Sequence, residues 1–178
     1  MRQLSRAKIL WLPLLLFLIF TSTVVCAQHR DPLDKAEVDQ LRDTNQEPDK
    51  RLRLIVKFAR ARLDAIDQMK ADPKLSAAQR ADHTHDLLQD FLTIYDELGD
   101  NLDMYIRQHA DLRKPLKEVV MGDSEFRARL QRLKANVTAD QAKQDDFLLT
   151  NALEAVNQGT TEHRQMLQDA EKEPRKKK

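Results

Sequence analysis

The sequence carries one long run of apolar residues at the spacing of a helix. Apolar positions follow one another at steps of three and four, with one histidine among them: Leu88, Phe91, Tyr95, Leu98, Leu102, Tyr105, His109, Leu112, Leu116 and Val119. This period of 3.5 residues is typical of a helix whose apolar stripe packs against another helix. No stretch of the sequence alternates apolar and polar residues as a half-buried strand would. The sequence therefore predicts an all-α fold.

Proline and glycine positions divide the chain into separate helices. Asp72-Pro73 ends a helix that begins near residue 49, and Pro115 interrupts the long stripe, because a proline ring clashes with the helical turn before it. Gly122-Asp123 indicates a break followed by a new N-cap, and Gly159 marks a weak point in the last helix. The pattern predicts an elongated antiparallel bundle of four to five helices with coiled-coil-like packing.

The first 27 residues have the form of a signal peptide. Three basic residues precede an apolar run, and Val25-Cys26-Ala27 supplies small or compact residues at the positions that a signal peptidase reads. Cleavage is predicted between Ala27 and Gln28. The alternative is an uncleaved anchor, since residues 9–27 are long enough to span a bilayer. In either case we expect a periplasmic or secreted protein that contacts the membrane only through this segment, if it is retained.

The remaining chain divides into three parts. We expect residues 28–50 to be a polar N-terminal segment with a short helix, residues 51–171 to be the helical domain, and residues 172–178 to be a disordered basic tail. Loss of residues 1–27 removes the only cysteine and takes the formal net charge from +1 to −2. The mature chain then has no thiol for a disulfide or a metal. Its near-neutral charge argues against nucleic acid as a partner.

The outer faces of the predicted helices alternate in charge. They are basic at 50–62, acidic at 82–103 and basic again at 113–134. Opposite charges on neighbouring helices attract, and like-charged mispairings are penalised. We expect the acidic helix to lie between the basic ones, which leaves the basic helices as the candidate surface for partner proteins. The residues that represent this surface are Arg53, Lys57, Arg60, Arg127 and Arg129.

No group of residues forms a recognisable catalytic or cofactor site. No nucleophile lies in a strand–turn–helix or glycine-rich setting. His83 and His85 lie between two aspartates, but residues two apart on a helix point to opposite sides, so a shared metal ion is not predicted. His109 and His163 lie on apolar stripes, where a core or rim histidine is expected and a pH-sensitive seam is the alternative. We expect a protein that is not an enzyme and holds no cofactor.

Two five-residue motifs mark predicted helix starts. They are Leu75-Ser76-x-x-Gln79 and Val137-Thr138-x-x-Gln141, which lie 62 residues apart. The pair resembles the LTxxQ motifs of the Spy/CpxP group of periplasmic helical proteins, with serine for threonine in the first and valine for leucine in the second. The resemblance implies a stress-linked chaperone that forms a curved antiparallel dimer and holds unfolded clients on its concave face. An apolar residue followed by a capping box produces the same pattern in unrelated helices.

Two functions fit these features. The first is an exported, non-enzymatic protein that binds protein clients or an envelope partner through amphipathic helices, as a chaperone does. The second is a structural coiled-coil spacer or self-associating module, tethered to the membrane if residues 9–27 are retained. A bundle that exposes a long apolar stripe would also form a homodimer.

Overall fold

The computed structural model describes residues 30–136 and 139–172, without the side chains of residues 139–144. These residues form helices and no strand, which confirms the predicted all-α bundle. The helices are α1 (Lys35–Asp43), α2 (Pro48–Ala71), α3 (Ala77–Arg107), α4 (Arg113–Ala135) and α5 (Ala139–Lys172). The predicted signal peptide, its cleavage site at Ala27 and Gln28, and residues 173–178 of the predicted tail lie outside the described residues. The coiled-coil packing stays a prediction.

The four long helices form two antiparallel hairpins, α2–α3 and α4–α5, that pack against each other. Helix α2 contacts α4, and α3 contacts α5. Ion pairs across the first contact join residues that are 65 positions apart, Asp49 with Lys114 and Asp64 with Arg129. This constant separation means that α2 and α4 run parallel. The hairpins are therefore stacked side by side in the same direction, and antiparallel packing is confined to the inside of each hairpin.

Two of the helices begin with a capping box. The Gln79 N–H donates to the Ser76 hydroxyl at 3.2 Å, and the Ser76 N–H donates to the Gln79 side chain at 3.0 Å. At the start of α1, the Glu37 N–H donates to the Asp34 carboxylate at 2.8 Å, and the Asp34 N–H donates to the Glu37 carboxylate at 3.0 Å. Each box satisfies N–H groups that lack a partner in the first turn. Val137, Thr138 and the side chain of Gln141 lie outside the described part of the chain.

The long apolar stripe is divided at residues 108–112, as Pro115 predicted. His109 has a φ of 55°, and the Ala110 N–H donates to the Tyr105 carbonyl at 3.0 Å, which is the hydrogen bond of a Schellman helix end. Pro115 lies in the first turn of α4, where its missing N–H costs no helical hydrogen bond. The placement of His109 on a packed stripe was wrong, because this exposed residue terminates α3.

The predicted break at Gly122-Asp123 was also wrong, and the weak point expected at Gly159 does not interrupt its helix. Helix α4 is continuous through Gly122-Asp123, and α5 is continuous through Gly159. Both glycines lie where a neighbouring helix comes close. A Cβ atom at Gly122 would lie 3.0 Å from the Val56 side chain, and one at Gly159 would lie 2.3 Å from the Tyr95 hydroxyl. Their missing side chains therefore permit close helix packing rather than a break.

One apolar core joins all five helices of the described chain. The rings of Phe91, Tyr95 and Phe126 lie at its centre, with centroids 5.4–6.3 Å apart. Helix α1 contributes Leu41 to this core. None of the helices in the described ranges combines the length and the apolar content needed to cross a membrane.

Candidate binding site beneath helix α1

A cavity of about 250 Å³ lies between α1 and the hairpin of α2 and α3. Its apolar walls, which we call the α1 groove, are formed by Leu33, Leu41, Ile55, Phe58 and Ile94. Polar groups at its margin come from Asp31, Thr93 and Glu97. A mostly apolar cavity with a few polar groups at its edge is typical of a binding site. Helix α1 therefore covers an apolar surface without filling the space beneath it.

Arg62 of α2 holds the N-terminal end of α1. One of its guanidinium nitrogens donates to the Glu37 carboxylate at 2.8 Å, and the other donates to that carboxylate and, at 2.6 Å, to the Pro32 carbonyl. The side chains of Arg62 and Glu37 are only 13% and 11% exposed. Asp90 of α3 lies 3.9 Å from the same guanidinium. The hydrogen bonds that Arg62 donates to Glu37 raise the pKa of Arg62, and two parallel hydrogen bonds of this kind are strong and directional.

Arg51, also on α2, holds the C-terminal end of α1. It donates to the Leu41 carbonyl at 2.8 Å, to the Asn101 side chain at 2.5 Å and to Glu97 at 3.3 Å. A cation at a helix C-terminus is favourable, because the last carbonyls have no partner inside the helix. The Tyr105 hydroxyl donates to the carbonyl of Asn45 in the following turn at 3.2 Å. Each end of α1 is thus held by polar contacts.

Helix α1 is the least supported element of the described chain. It has nine residues, fewer than the roughly 12–15 that an isolated helix needs for marginal stability. Its close helix contacts are with α2. Segments with few apolar contacts open at a lower free energy than the core does. The sequence analysis missed this site, because it assigned Arg62 to a solvent-exposed basic face. A signal was present in Glu37, which lies four residues before Leu41 on the buried side of a short helix.

Three of the five residues of the predicted interaction surface lie where α2 meets α4. Their contacts there, which we call the ion-pair row, are Arg53–Glu118 at 2.9 Å, Arg60–Glu125 at 2.9 Å and Arg129–Asp64 at 2.6 Å. Lys57 is exposed and lies 5.9 Å from the centre of the Phe58 ring, and Arg127 is half-buried. The structure therefore uses Arg53, Arg60 and Arg129 to join the two hairpins. Binding of a partner at these residues would require the ion pairs to be exchanged.

The other residues singled out by sequence lie apart from the groove. Leu75 is half-buried and its carbonyl accepts a hydrogen bond from Arg80 at 2.7 Å, while Ser76 and Gln79 cap α3. His83 is exposed, and His85 lies 3.5 Å from the buried carboxylate of Asp145 on α5. Across the described ranges, no three histidine or acidic side chains gather closely enough to hold a metal ion.

A buried polar network at the centre of the bundle was also missed. The Tyr95 hydroxyl donates to one oxygen of Asp123 at 2.8 Å, and Nδ1 of His163 lies 2.9 Å from the other oxygen. Asp123 is 0% exposed and His163 is 4% exposed. Burial and the neighbouring Asp123 carboxylate raise the pKa of Tyr95, so its hydroxyl remains a donor. We call these three side chains the buried network.

The buried network joins three helices, because Tyr95, Asp123 and His163 lie on α3, α4 and α5. Its enclosure favours a structural role over catalysis, since a substrate would have to reach atoms in the core. The sequence contained a signal for it. Asp123 falls four residues after Val119 and three before Phe126, at the spacing of the buried stripe. It was interpreted as an N-cap because it follows a glycine.

Comparison of the chain with protein-family models, with curated proteins and with solved structures finds no match. The resemblance of the two five-residue motifs to the LTxxQ proteins therefore stays a prediction. The groove beneath α1 and the residues that close it are the features of the structure that point to a function.

Proposed function

We propose that this chain is an exported, non-enzymatic protein that binds other proteins, as a chaperone does, and that the α1 groove is its binding surface. The observation that supports this most directly is the apolar cavity beneath a nine-residue helix that two arginines hold in place. A groove lined by aliphatic and aromatic side chains suits the apolar face of an amphipathic helix. Export is proposed from residues 1–27 of the sequence.

Other possible binding surfaces on the described part of the chain offer less apolar area than the α1 groove does. The large apolar side chains that are exposed, Ile106, Met121 and Phe147, lie on three different helices. The basic residues at the α2–α4 contact are engaged in the ion-pair row. Displacement of α1 would expose Ile55, Phe58 and Ile94, and burial of each such side chain in a complex is worth about 1.5–3 kcal/mol. The groove therefore offers a contiguous apolar surface to a client that displaces α1, which scattered single residues do not.

Suppression of client aggregation tests this proposal. The protein is purified in the form that exporting cells accumulate and is mixed with α-lactalbumin unfolded by reduction. We expect near-stoichiometric suppression of the light scattering of the client. The Glu37→Ala variant is expected to suppress aggregation at a lower molar ratio of protein to client than the natural chain needs. It loses both the contact with Arg62 and half of the capping box, so α1 is displaced from the groove more easily. Asp39→Ala is the matched control, since Asp39 lies on the same helix and its ion pair in the described part of the chain is with the exposed Arg42.

Two results would contradict the proposal. One is an absence of suppression by both the natural chain and Glu37→Ala at a fivefold or greater molar excess. The other is equal suppression by Glu37→Ala and Asp39→Ala, which would place client binding away from the groove. A stable dimer by light scattering, together with no suppression, would support the structural spacer instead.

A further inference from the structure

Helix α1 presents two buried residues to the rest of the molecule, Glu37 and Leu41. They lie four positions apart and therefore on the same side of the helix. The carboxylate of Glu37 meets the guanidinium of Arg62, and the side chain of Leu41 joins the apolar core beside Ile55. The groove is thus occupied by a short amphipathic helix that carries one acid and one leucine in this spacing.

The charge of the groove restricts what can replace α1. Arg62 is 13% exposed and its close carboxylate partner is Glu37, with Asp90 farther away at 3.9 Å. Removal of one partner from a largely buried ion pair leaves a charge without compensation, which is costly. An occupant that is purely apolar would leave Arg62 with the more distant carboxylate of Asp90, at 3.9 Å, and without the hydrogen bonds that Glu37 now accepts. An occupant that brings a carboxylate to the position of Glu37 is therefore favoured.

Helix α1 fits the groove incompletely. Leu33 and Leu41 line the cavity of about 250 Å³ from the α1 side, and the space between them and Phe58 is empty of protein atoms. A segment with a larger apolar side chain at the position of Leu33, just before the helix, or of Leu41, within it, would fill this space and gain contacts that α1 and its preceding residues do not make. Such a segment would compete with α1 although α1 has the advantage of being part of the same chain.

We propose that α1 is an autoinhibitory strap, and that the partner is an amphipathic helix with a carboxylate four residues before a large apolar residue, which takes the place of Glu37 and Leu41. This inference rests on the proposed function of the groove. Arg62 donates hydrogen bonds to the carboxylate of the bound helix, and Arg51 donates to a carbonyl near its C-terminus, as it now donates to that of Leu41. Partner binding displaces α1 and leaves the two hairpins in place.

A peptide of residues 31–47 of this chain, labelled with fluorescein, tests the exchange. Its binding to the full-length protein is measured by fluorescence anisotropy. The natural chain is expected to bind it weakly, because tethered α1 competes at an effective concentration of about 1 mM or more. The Glu37→Ala chain is expected to bind the same peptide at least about tenfold more tightly, because its own strap no longer pairs with Arg62. The Asp39→Ala chain should resemble the natural one.

Changes in the peptide test the chemistry of the partner. A peptide with Glu37→Ala should bind the Glu37→Ala chain at least about tenfold more weakly than the natural peptide, whereas one with Leu33→Phe should bind more tightly, because it fills the cavity. If the Glu37→Ala chain loses helicity by circular dichroism, Asp34→Ala replaces it. Asp34 is exposed and caps α1 without lining the groove, so its loss weakens the strap alone.

The outcomes separate the strap from the proposed function. The strap model is wrong if neither the Glu37→Ala chain nor the Asp34→Ala chain binds the natural peptide. It is also wrong if the Glu37→Ala peptide binds as well as the natural peptide does. Aggregation suppression in that case would still support client binding, at another surface. Peptide exchange without any suppression would support the strap and contradict the proposed class of client.

Discussion

The two hairpins are joined in two different ways, and the contrast is sharpest on α4. Asp123 and Glu125 are two residues apart on this helix. Asp123 is 0% exposed and belongs to the buried network, whereas the side chain of Glu125 is 37% exposed and belongs to the ion-pair row. Water can replace the partner of an exposed carboxylate but not that of a buried one. The same functional group, a carboxylate, therefore orients helices at the surface and controls stability in the core.

The largest effect is expected from alanine substitutions at these two carboxylates. Asp123→Ala should lower the free energy of unfolding by about 3–5 kcal/mol, because Tyr95 and His163 are left in the core without their acceptor. Glu125→Ala, two residues away, should cost about 1 kcal/mol or less, since its pair with Arg60 is exposed to solvent. Urea unfolding followed by circular dichroism measures both. Equal losses would mean that the buried network contributes no more than a surface ion pair.

A second comparison tests the space around the buried network. A Cβ atom at Gly159 would lie 2.3 Å from the Tyr95 hydroxyl, while one at Gly99 would have no atom within 4 Å. Gly159→Ala should therefore cost about 2–3 kcal/mol, because the hydroxyl must move away from Asp123. Gly99→Ala should instead stabilise the protein by roughly 0.5–1 kcal/mol through helix propensity alone.

The Tyr95→Phe background shows whether the collision is with the hydroxyl. In that background Gly159→Ala should cost less than in the natural chain, since the obstructing oxygen is gone. An unchanged cost would mean that the ring carbons of Tyr95, two of which lie 3.1 Å from the added Cβ atom, rather than its hydroxyl, resist the methyl group. Urea unfolding of the four proteins gives this coupling free energy.

These residues show how far the sequence could predict the structure. The capping box at Ser76 and the interruption before Pro115 depend on neighbours in the sequence, and both are visible in it. The roles of Gly122 and Gly159 depend on how close another helix comes, which sequence spacing does not reveal. Gly122 was therefore interpreted as a break and Gly159 as a weak point, although both permit close packing.

The candidate site was harder to predict than the fold, because it too depends on contacts between residues that are far apart in the sequence. Arg62 and Glu37 are 25 residues apart, and Asp123 and His163 are 40 apart. A basic residue on an amphipathic helix is usually solvated, so the position of Arg62 in the sequence does not indicate that it contacts a buried carboxylate. Asp123 was detectable only by its position within an apolar stripe. Sequence periodicity identifies which side of a helix is buried, but it does not identify which polar groups meet there.

Another buried acid, Asp145, extends the comparison to the dependence of stability on pH. Burial raises the pKa of Asp145, against the opposing attraction of His85, so its folded-state pKa lies above its unfolded one. The stability that the protonated form contributes is fully present below the ordinary carboxyl pKa and is lost as the pH rises through the raised value. Asp145→Asn should remove this loss. The variant should match the natural chain in acid and exceed it in free energy of unfolding at neutral pH.

Urea unfolding at a series of pH values, on the natural chain and Asp145→Asn in parallel, measures the difference. Groups that do not interact with Asp145 titrate equally in both proteins and cancel, so the difference reports Asp145 together with its neighbours His85, Lys70 and Asp82. A difference that stays constant from acid to neutral pH would mean that Asp145 ionises in the folded protein as readily as in the unfolded chain.

The smallest effect is expected in the ion-pair row, and salt separates it from the buried network. Arg60→Met should lower the free energy of unfolding by about 1 kcal/mol or less, because the pair with Glu125 is exposed. In 1 M sodium chloride, where the screening length is about 3 Å, this difference should shrink toward zero. The cost of Asp123→Ala should not change with salt, since it comes from unsatisfied groups that ions cannot reach. Urea is the required denaturant, because guanidinium chloride would itself screen the row. A salt-dependent cost at Asp123 would show that solvent reaches the network, and the distinction between the two ways of joining the hairpins would then be one of degree.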